Sequence, residues 1–471
     1  MKSRQQSSDS RSSQHASDAL SRRTFLKRSA ALAGSGLLLA SGARVTSAAG
    51  GSGGAVQRRS FQGGTTEITI WTAFPELDTF LTQVGPDYSK VKSNIKVVNT
   101  LFPQRALEEK VAAALPAGEG PDLIEMDRHE IYPYYLNDQI VPFSGDMLSY
   151  VQQNWPKFAV DHATVKDELY ALPWITSPKM MFYNTDMFSK AGITKPPETV
   201  DEMMSMAEKL TVKNSGGTIT TQGIDLRLSG GGFGTSQKYW TQAMIPYGAE
   251  VLHTDGDKYS AGYNNDQGVA ALNLYIDAVY VKKVSTFDAK HDAEGFGLGQ
   301  AAMFQRESWV CDYLAKNAPD IKYDVFPMPK GPGGWGTVAN TLGLGVTSSS
   351  KHQDEVYEFV KWLTNEENTA KTYAISGWQP WRTDGIDFGD LFDKTAVLKT
   401  FIDVLSLDGH TIYDYENIPP VAEIHARMAD RLMEAFKDSG LAGNSDGQKK
   451  DIKDMADETN RVLKDWDLYA G

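Results

Sequence analysis

The side chains best suited to bind a ligand are tryptophans in loops. The chain has ten Trp, of which Trp362 and Trp466 fall on the apolar faces of predicted helices and belong to a core. Large aromatic side chains are costly to expose unless they pack against something. Seven others lie at predicted strand ends or in loops rich in Gly, Pro and hydroxyl side chains: Trp71, Trp174, Trp240, Trp309, Trp335, Trp378 and Trp381.

Tryptophans combined with carboxylates suit a neutral carbohydrate. A pyranose offers an apolar C–H face for stacking, and hydroxyls that carboxylates, amides and Arg can bind. The alternatives are that each Trp packs its own loop against the protein, and that the neighbours Asp127 and Arg128 form a surface ion pair. The predicted ligand-binding residues are Trp71, Glu76, Asp127, Arg128, Trp174, Thr176, Trp240, Trp309, Trp335 and Trp378.

The sequence contains few features that would indicate an enzyme. The glycine-rich residues 229–236 and 295–299 lack the strand, helix and lysine spacing of a phosphate-binding loop. The single Cys311 allows neither an internal disulfide framework nor a cysteine-rich metal site. We therefore expect no catalytic residue, metal or cofactor. Because a glycosidase needs only two carboxylates across a cleft, an exported glycoside-active enzyme stays as an alternative.

The elements that must position these side chains alternate between strand and helix. Residues 66–71, 95–98 and 121–126 are predicted strands, and residues 105–115 form a predicted helix between the last two. This order predicts a parallel α/β sheet, in which ligands bind beyond the carboxyl ends of the strands. Residues 71–76 and 127–128 should therefore meet at one edge. Further along, residues 223–226 are a predicted strand, Thr199 and Glu202 a predicted capping box, and Asp266 a predicted helix cap.

Several motifs in the middle of the chain resemble one family. Residues 299–303 read G-Q-A-A-M and are followed by Ser308-Trp309, and residues 377–382 resemble a G-x-x-P-x-R turn. Residues 323–363 fit the pattern "Y-x-V-x-P-x-P, G-G, strand, S-S-K, helix". The densest match lies in residues 167–202, at Tyr170-Ala171-Leu172-Pro173, Tyr183-Asn184, Asp186, Phe188, Ala191-Gly192, Pro196-Pro197, Thr199 and Glu202. Together these motifs resemble the sugar-binding extracellular solute-binding proteins of bacterial ABC importers, the group similar to maltose-binding protein.

The resemblance implies an α/β fold of the two-lobe periplasmic-binding-protein type, class II, in which each lobe is a central sheet flanked by helices and a hinge joins the lobes. The implied N-terminal lobe comprises residues 65–175 and 325–374. The implied C-terminal lobe comprises residues 176–324 and 375–471, with a helical cap formed by predicted helices at residues 421–436 and 448–466.

The function implied by the resemblance is capture of a carbohydrate between the lobes and its delivery to the permease subunits of an ABC transporter. In this family Asp127-Arg128 falls on a pair that contacts sugar hydroxyls, and Trp309 on a tryptophan that stacks on sugar. Glu307-Ser308 departs from the usual small-residue pair, which puts the backbone before Trp309 in doubt. A non-sugar solute such as a polyol, a polyamine or a phosphate ester is the alternative.

The N-terminal residues predict export. Residues 21–27, S-R-R-T-F-L-K, match the twin-arginine signature, and the uncharged residues 29–43 are shorter than the roughly 20 residues that span a bilayer. We expect residues 1–48 to be a cleaved signal peptide rather than a membrane-anchoring helix, residues 49–64 a flexible leader, and the protein periplasmic or extracellular.

The net negative charge of the exported chain disfavours some classes of binding partner. Residues 1–48 hold eight Lys and Arg and two Asp and Glu, so the net charge changes from −13 to −19 without them. A strongly acidic protein is poorly suited to nucleic acid or an anionic membrane surface. We expect no nucleic-acid partner, and a monomer.

Overall fold

The computed structural model describes residues 65–228, 232–290, 292–383 and 385–471, so the predicted signal peptide and leader lie outside the described residues. The strands are β1 Thr66–Thr72, β2 Ile95–Leu101, β3 Leu123–Asp127, β4 Thr164–Val165, β5 Glu168–Leu169, β6 Leu172–Pro178, β7 Met180–Asn184, β8 Val212–Lys213, β9 Ile219–Thr221, β10 Leu252–Asp255, β11 Lys258–Ala261, β12 Met303–Arg306, β13 Tyr323–Phe326, β14 Gly336–Val346, β15 Gln379–Pro380 and β16 Thr411–Tyr413.

Helices separate most of these strands. They are α1 Pro75–Val84, α2 Tyr88–Val91, α3 Gln104–Ala114, α4 Arg128–Leu136, α5 Gly145–Asn154, α6 Lys157–His162, α7 Thr185–Lys190, α8 Val200–Leu210, α9 Phe233–Tyr239, α10 Ile245–Tyr247, α11 Asp266–Ile276, α12 Asp292–Gly297, α13 Val310–Asn317, α14 Gln353–Leu363, α15 Glu366–Ser376, α16 Leu391–Lys394, α17 Ala396–Asp403, α18 Val421–Lys437 and α19 Ser445–Asp465. π-Helical turns follow α9 at Trp240–Met244 and α11 at Asp277–Val281.

The first sheet has the strand order β15-β6-β14-β3-β1-β2. Strand β1 pairs in parallel with β2 and β3, while β14 runs antiparallel between β3 and β6. The parallel part is the arrangement that the sequence predicted, so the residues after β1 and β3 lie at one edge of the sheet. The register places Leu342 of β14 beside Asp127 of β3 and Asn340 beside Ser177 of β6.

The second sheet is antiparallel, with β7 between β12 and β13. Strand β7 is buried on both faces. Met181 packs with helices α8, α11, α18 and α19 into what we call the second core, and Met180 and Phe182 pack into a smaller core with α13 and α17. The first sheet has a separate core built on Ile68 and Ile70. Two sheets with their own cores confirm the predicted α/β class, and the two C-terminal helices pack on the second sheet's core.

Two local predictions need correction, and one holds in part. Residues 223–226 form no strand, because this stretch makes only isolated bridges, as between Asp225 and Phe304. Helix α11 is capped by Asn265, one residue before the predicted Asp266. Thr199 does cap α8 by accepting the Glu202 N–H, but the Glu202 carboxylate accepts the N–H of Glu198.

The expected lobe boundaries fall inside regular elements. The one after residue 175 divides β6, the one after 324 divides β13, and the one after 374 divides α15. Across the described residues, no helix combines the length and apolar character needed to cross a membrane.

Candidate ligand-binding cleft

A cleft of about 270 Å³ lies between the edges of the two sheets. One side is formed by residues that follow β1 and β3 or lie on β6 and β14, and the other by the segment that joins β12 to α13. Its lining residues are Phe74, Pro75, Glu76, Asp127, Ser177, Arg306, Glu307, Trp309, Asn340, Leu342 and Trp378.

The first-sheet wall is acidic. Glu76 lies in the first turn of α1, directly after Pro75. Asp127 ends β3 and precedes α4, and its backbone N–H donates to the Glu130 carboxylate at 2.7 Å. Burial raises the pKa of Asp127, with a smaller opposing effect from His129. The sheet edge thus presents two carboxylates to the cleft, as the strand order predicts.

Behind this wall lies a third carboxylate that serves the loop after β1. Glu125 is buried on β3 and accepts the backbone N–H of Ala73 at 3.0 Å. Burial raises the pKa of Glu125 to about 8, and the backbone N–H groups of Ala73 and Phe74 only partly offset it. This contact fixes the loop that carries Phe74 and Glu76 into the cleft.

An aromatic pair forms the end of the first-sheet wall. The ring centroids of Phe74 and Trp378 are 4.9 Å apart. Helix α15 ends at Gly377, whose φ of 69° favours glycine, and this turn brings Trp378 to the cleft. The Ser308 hydroxyl donates to the Gly377 carbonyl at 2.6 Å and so joins this turn to the opposite wall.

The opposite wall is organised by Glu307. Its Oε2 accepts the indole N–H of Trp309 at 3.0 Å and an Arg306 N–H at 3.3 Å. The Arg306 guanidinium lies 5.2 Å from the centroid of the Trp309 ring. Although burial opposes ionisation, Arg306 and Lys179 outweigh it and lower the pKa of Glu307 to about 2. Glu307 therefore holds Trp309 in place as a charged acceptor.

Lys179 connects this wall to the strands that cross between the sheets. It follows β6, is 2% exposed, and its Nζ lies 3.4 Å from Glu307 Oε1 and donates to Asn340 Oδ1 at 2.8 Å. The Gln237 side chain donates to the same Asn340 oxygen at 2.5 Å. Both chain crossings and α9 are thereby tied to a residue that lines the cleft.

A second carboxylate neutralises Arg306 from behind. Asp292 lies 3.4 Å from Arg306, 2.8 Å from Arg227 and in contact with Lys238. Burial disfavours the charged form, but these three cations hold the pKa of Asp292 well below its usual range. Arg306 is therefore shared between two anions.

Four of the ten predicted binding residues line the cleft: Glu76, Asp127, Trp309 and Trp378. Their contact with a ligand stays a prediction. The resemblance put the backbone before Trp309 in doubt because of Glu307, and the structure gives Glu307 the role of fixing the Trp309 ring.

Three predicted tryptophans pack in cores or loops instead. Trp174 is 3% exposed and lies 6.0 Å from Phe80 between ring centroids. Trp240 is 4% exposed in the second core, beside Tyr415 at 5.6 Å. Trp335 donates its indole N–H to the Met328 carbonyl at 2.7 Å, so it fastens its own loop.

The other three also lie apart from the cleft lining. Trp71 packs edge-on against Phe102 at 5.3 Å. Thr176 is fully buried on β6, opposite Thr341. Arg128 lies 3.9 Å from the buried Asp414, so its ion-pair partner is Asp414 and the surface pair with Asp127 that was considered is wrong.

Seven lining residues were not predicted as ligand contacts. Phe74 and Pro75 lie within residues 71–76, which the strand order did place at the edge, and Ser177 follows the predicted Thr176 on β6. Arg306 and Glu307 adjoin the predicted Trp309. Asn340 and Leu342 carry no local signal, because only their register in β14 brings them to the cleft. Within the described parts of the chain, no group of three or more His, Cys, Asp or Glu side chains is arranged to hold a metal.

A cleft between two sheet domains that the chain joins by several crossings defines a two-lobed ligand-binding protein. Residues 86–396 match the family described as bacterial extracellular solute-binding protein, and the chain belongs to this family.

Named relatives and solved structures agree with the family and the fold. The chain is 23% identical over 415 residues to the arabinooligosaccharide-binding protein of Bacillus subtilis, covering 82% of this chain and 91% of that one. It is 24% identical over 355 residues to the multiple sugar-binding protein of Streptococcus mutans, covering 72% and 79%.

An ABC substrate-binding protein of Listeria monocytogenes in complex with cycloalternan has a TM-score of 0.70 at 18% identity, covering 85% of this chain and 99% of that one. The sugar-binding protein MalE of Xanthomonas citri has a TM-score of 0.69 at 18% identity, covering 85% and 98%. These structures confirm the two-lobe fold.

Proposed function

We propose that this protein captures a carbohydrate, a mono- or oligosaccharide, in the cleft and delivers it to the permease of an ABC importer. The observation that carries the proposal is that Trp309 and Trp378 line the same cleft as Glu76 and Asp127. Aromatic rings can stack on the C–H face of a sugar while carboxylates accept its hydroxyl protons. The relatives described as an arabinooligosaccharide-binding protein and a multiple sugar-binding protein support the same ligand class.

The binding step follows from the two walls. A ligand that touches both the first-sheet carboxylates and Trp309 gains its full set of contacts only when the lobes are closed. Only such differential contacts can shift the equilibrium towards the closed form. A micromolar dissociation constant corresponds to about −8 kcal/mol, which stacked rings and charge-assisted hydrogen bonds can supply.

We also propose how the protein is exported and how its lobes are composed. Residues 1–48 direct twin-arginine export and are cleaved, which leaves a periplasmic or extracellular monomer. The proposed lobes comprise residues 65–175 with 325–374, and 176–324 with 375–471, except that β13 pairs within the second sheet and β15 within the first. The protein binds its ligand without transforming it, since the cleft serves stacking and hydrogen bonding.

Calorimetric titration of the purified chain with neutral mono- and oligosaccharides, polyols and polyamines tests the proposal. We expect saturable binding of one carbohydrate class, a raised melting temperature and an unchanged ligand after incubation. Binding of polyols or polyamines alone would overturn the carbohydrate assignment while leaving the family intact. Release of a shortened saccharide would show an enzyme instead.

A further inference from the structure

The charges that line the cleft are unevenly compensated. Arg306 is the cationic side chain among the described lining residues. Its guanidinium lies 3.3 Å from Glu307 and 3.4 Å from Asp292, and it packs on the Trp309 ring. Two anions thus already share its charge. An incoming anion would have to compete with both of them, at the cost of desolvating itself.

The carboxylates of the first-sheet wall have weaker compensation, because His129 and Lys179 only partly offset the effect of burial on the pKa of Asp127. Among the side chains that the structure describes, no Lys or Arg forms an ion pair with Glu76 or Asp127. The backbone N–H of Asp127 donates to Glu130, and the two residues form the capping box at the start of α4. A ligand group at this wall must therefore supply protons to accept, as a hydroxyl or an amine does.

The other cationic side chains near the cleft are also held by groups of the protein. Lys179 is held by Glu307, Asn340 and the Ser177 carbonyl. Lys238 and Arg227, which do not line the cleft, are both bound to Asp292. Each cation thus faces an anion of the protein, whereas Glu76 and Asp127 face the ligand.

From this asymmetry we infer that Glu76 and Asp127 set the charge selectivity of the cleft. It accepts neutral and amine-bearing saccharides and rejects their acidic counterparts, such as uronic acids and sugar phosphates. The inference rests on the proposed carbohydrate function and narrows its substrate class. Partial burial makes the discrimination effective, because like charges repel more strongly where water is scarce.

The test uses matched probes that differ in charge at one or two positions. We would titrate the full chain with N,N′-diacetylchitobiose and chitobiose, galactobiose and digalacturonic acid, cellobiose and cellobiouronic acid, and maltotriose and maltotriose 6-phosphate. We expect binding to be confined to neutral and amine-bearing members, with each acid at least tenfold weaker than its neutral counterpart. An acid that binds as tightly as its counterpart would overturn the inference but support the carbohydrate function. Silence of all eight probes, and of every other saccharide in the titration that tests the proposed function, would overturn both.

Variants assign the selectivity to residues. The double substitution Glu76→Gln and Asp127→Asn keeps the shape of both side chains and one acceptor oxygen on each, and removes their charge. We expect the preference for the neutral member of a bound pair to fall by about tenfold towards unity. The control is Glu119→Gln, an exposed carboxylate away from the cleft, which should leave the preference unchanged. If the double variant keeps the full preference while folding normally, the two carboxylates do not set it.

Discussion

Two clusters of buried charge lie near the junction of the sheets, and only one of them borders the cleft. The cleft cluster consists of Lys179, Asp292, Arg306 and Glu307 and holds the cleft-lining Trp309. The strap cluster consists of Arg128, His162, Asp414 and Glu416. Its Asp414 lies 3.0 Å from His162 and 3.9 Å from Arg128, and none of its members lines the cleft. Buried ion pairs thus border the cleft in one place and fix the packing of the chain in the other.

The strap cluster joins the first sheet's domain to the segment between β16 and α18. Tyr415, directly after Asp414, is in the second core, while the Asn417 side chain donates to the Thr164 carbonyl at 2.9 Å. The neighbours Asp127 and Arg128 are divided between the two regions, because α4 begins between them and turns their side chains apart. Adjacent residues of one predicted binding motif therefore lie in different environments.

The largest expected effect is on stability and binding together. Glu307→Ala leaves Lys179 and Arg306 without one buried anion, and removing one partner of a buried pair costs about 3–5 kcal/mol. It also frees the Trp309 indole, so carbohydrate affinity should fall. Chemical denaturation and calorimetry measure the two effects. Glu366→Ala, which removes an exposed partner of Arg382, should change stability by less than about 1 kcal/mol.

The strap cluster should affect stability alone. Asp414→Asn removes the charge that faces Arg128 and His162, and we expect a loss of about 2–3 kcal/mol in the free energy of unfolding. Affinity for a bound saccharide, measured where the variant is fully folded, should change less than threefold. A loss of affinity as large as that of Glu307→Ala would remove the distinction between the two clusters.

Substitution of a cleft tryptophan should have a smaller effect, which is confined to ligand binding. Trp309→Ala removes the ring that lines the cleft and should weaken saccharide binding about tenfold, equivalent to about 1.4 kcal/mol. Trp335→Ala, in a loop away from the cleft, should leave the affinity within twofold. Equal losses for both variants would contradict the assignment of the cleft.

A further effect, on stability alone, is a pH dependence from the carboxylate behind the first-sheet wall. Because burial raises the folded-state pKa of Glu125 from 4.5 to about 8, unfolding releases a proton between these pH values. Stability should therefore decline as pH rises from about 4.5 to about 8 and level off above, by less than about 1.4 kcal/mol per pH unit. Glu125→Gln, which can still accept the Ala73 N–H, should reduce this decline. Glu416 of the strap cluster, with its pKa raised to about 7 by burial, contributes in the same direction and should still do so in that variant.

The sequence predicted the location of a side chain correctly where the order of neighbouring strands and helices determines that location. The alternation of strand and helix over residues 66–128 placed Glu76 and Asp127 at one edge, because carboxyl ends of parallel strands meet there. The motif around Trp309 predicted a ligand-binding position for this residue, and Trp309 lines the same cleft. These positions depend on short stretches whose patterns can be recognised one at a time.

Long-range partners were beyond such patterns. Asp414 reaches His162 across 252 positions of the chain, and no local feature of either residue predicts the contact. Trp240 follows a glycine-rich segment and was expected at the cleft, but the helical turn that carries it packs its ring into the second core. A tryptophan beside a flexible-looking loop cannot be separated from a core tryptophan until the packing is known.

A structure of the protein bound to the saccharide identified by titration would test the central claim most directly. We predict that the ligand lies in the cleft, stacked on Trp309 or Trp378, with its hydroxyls donating to Glu76 or Asp127. A saccharide bound elsewhere, such as beside Trp335 or at the strap cluster, with the cleft residues untouched, would contradict the assignment of this cleft as the binding site.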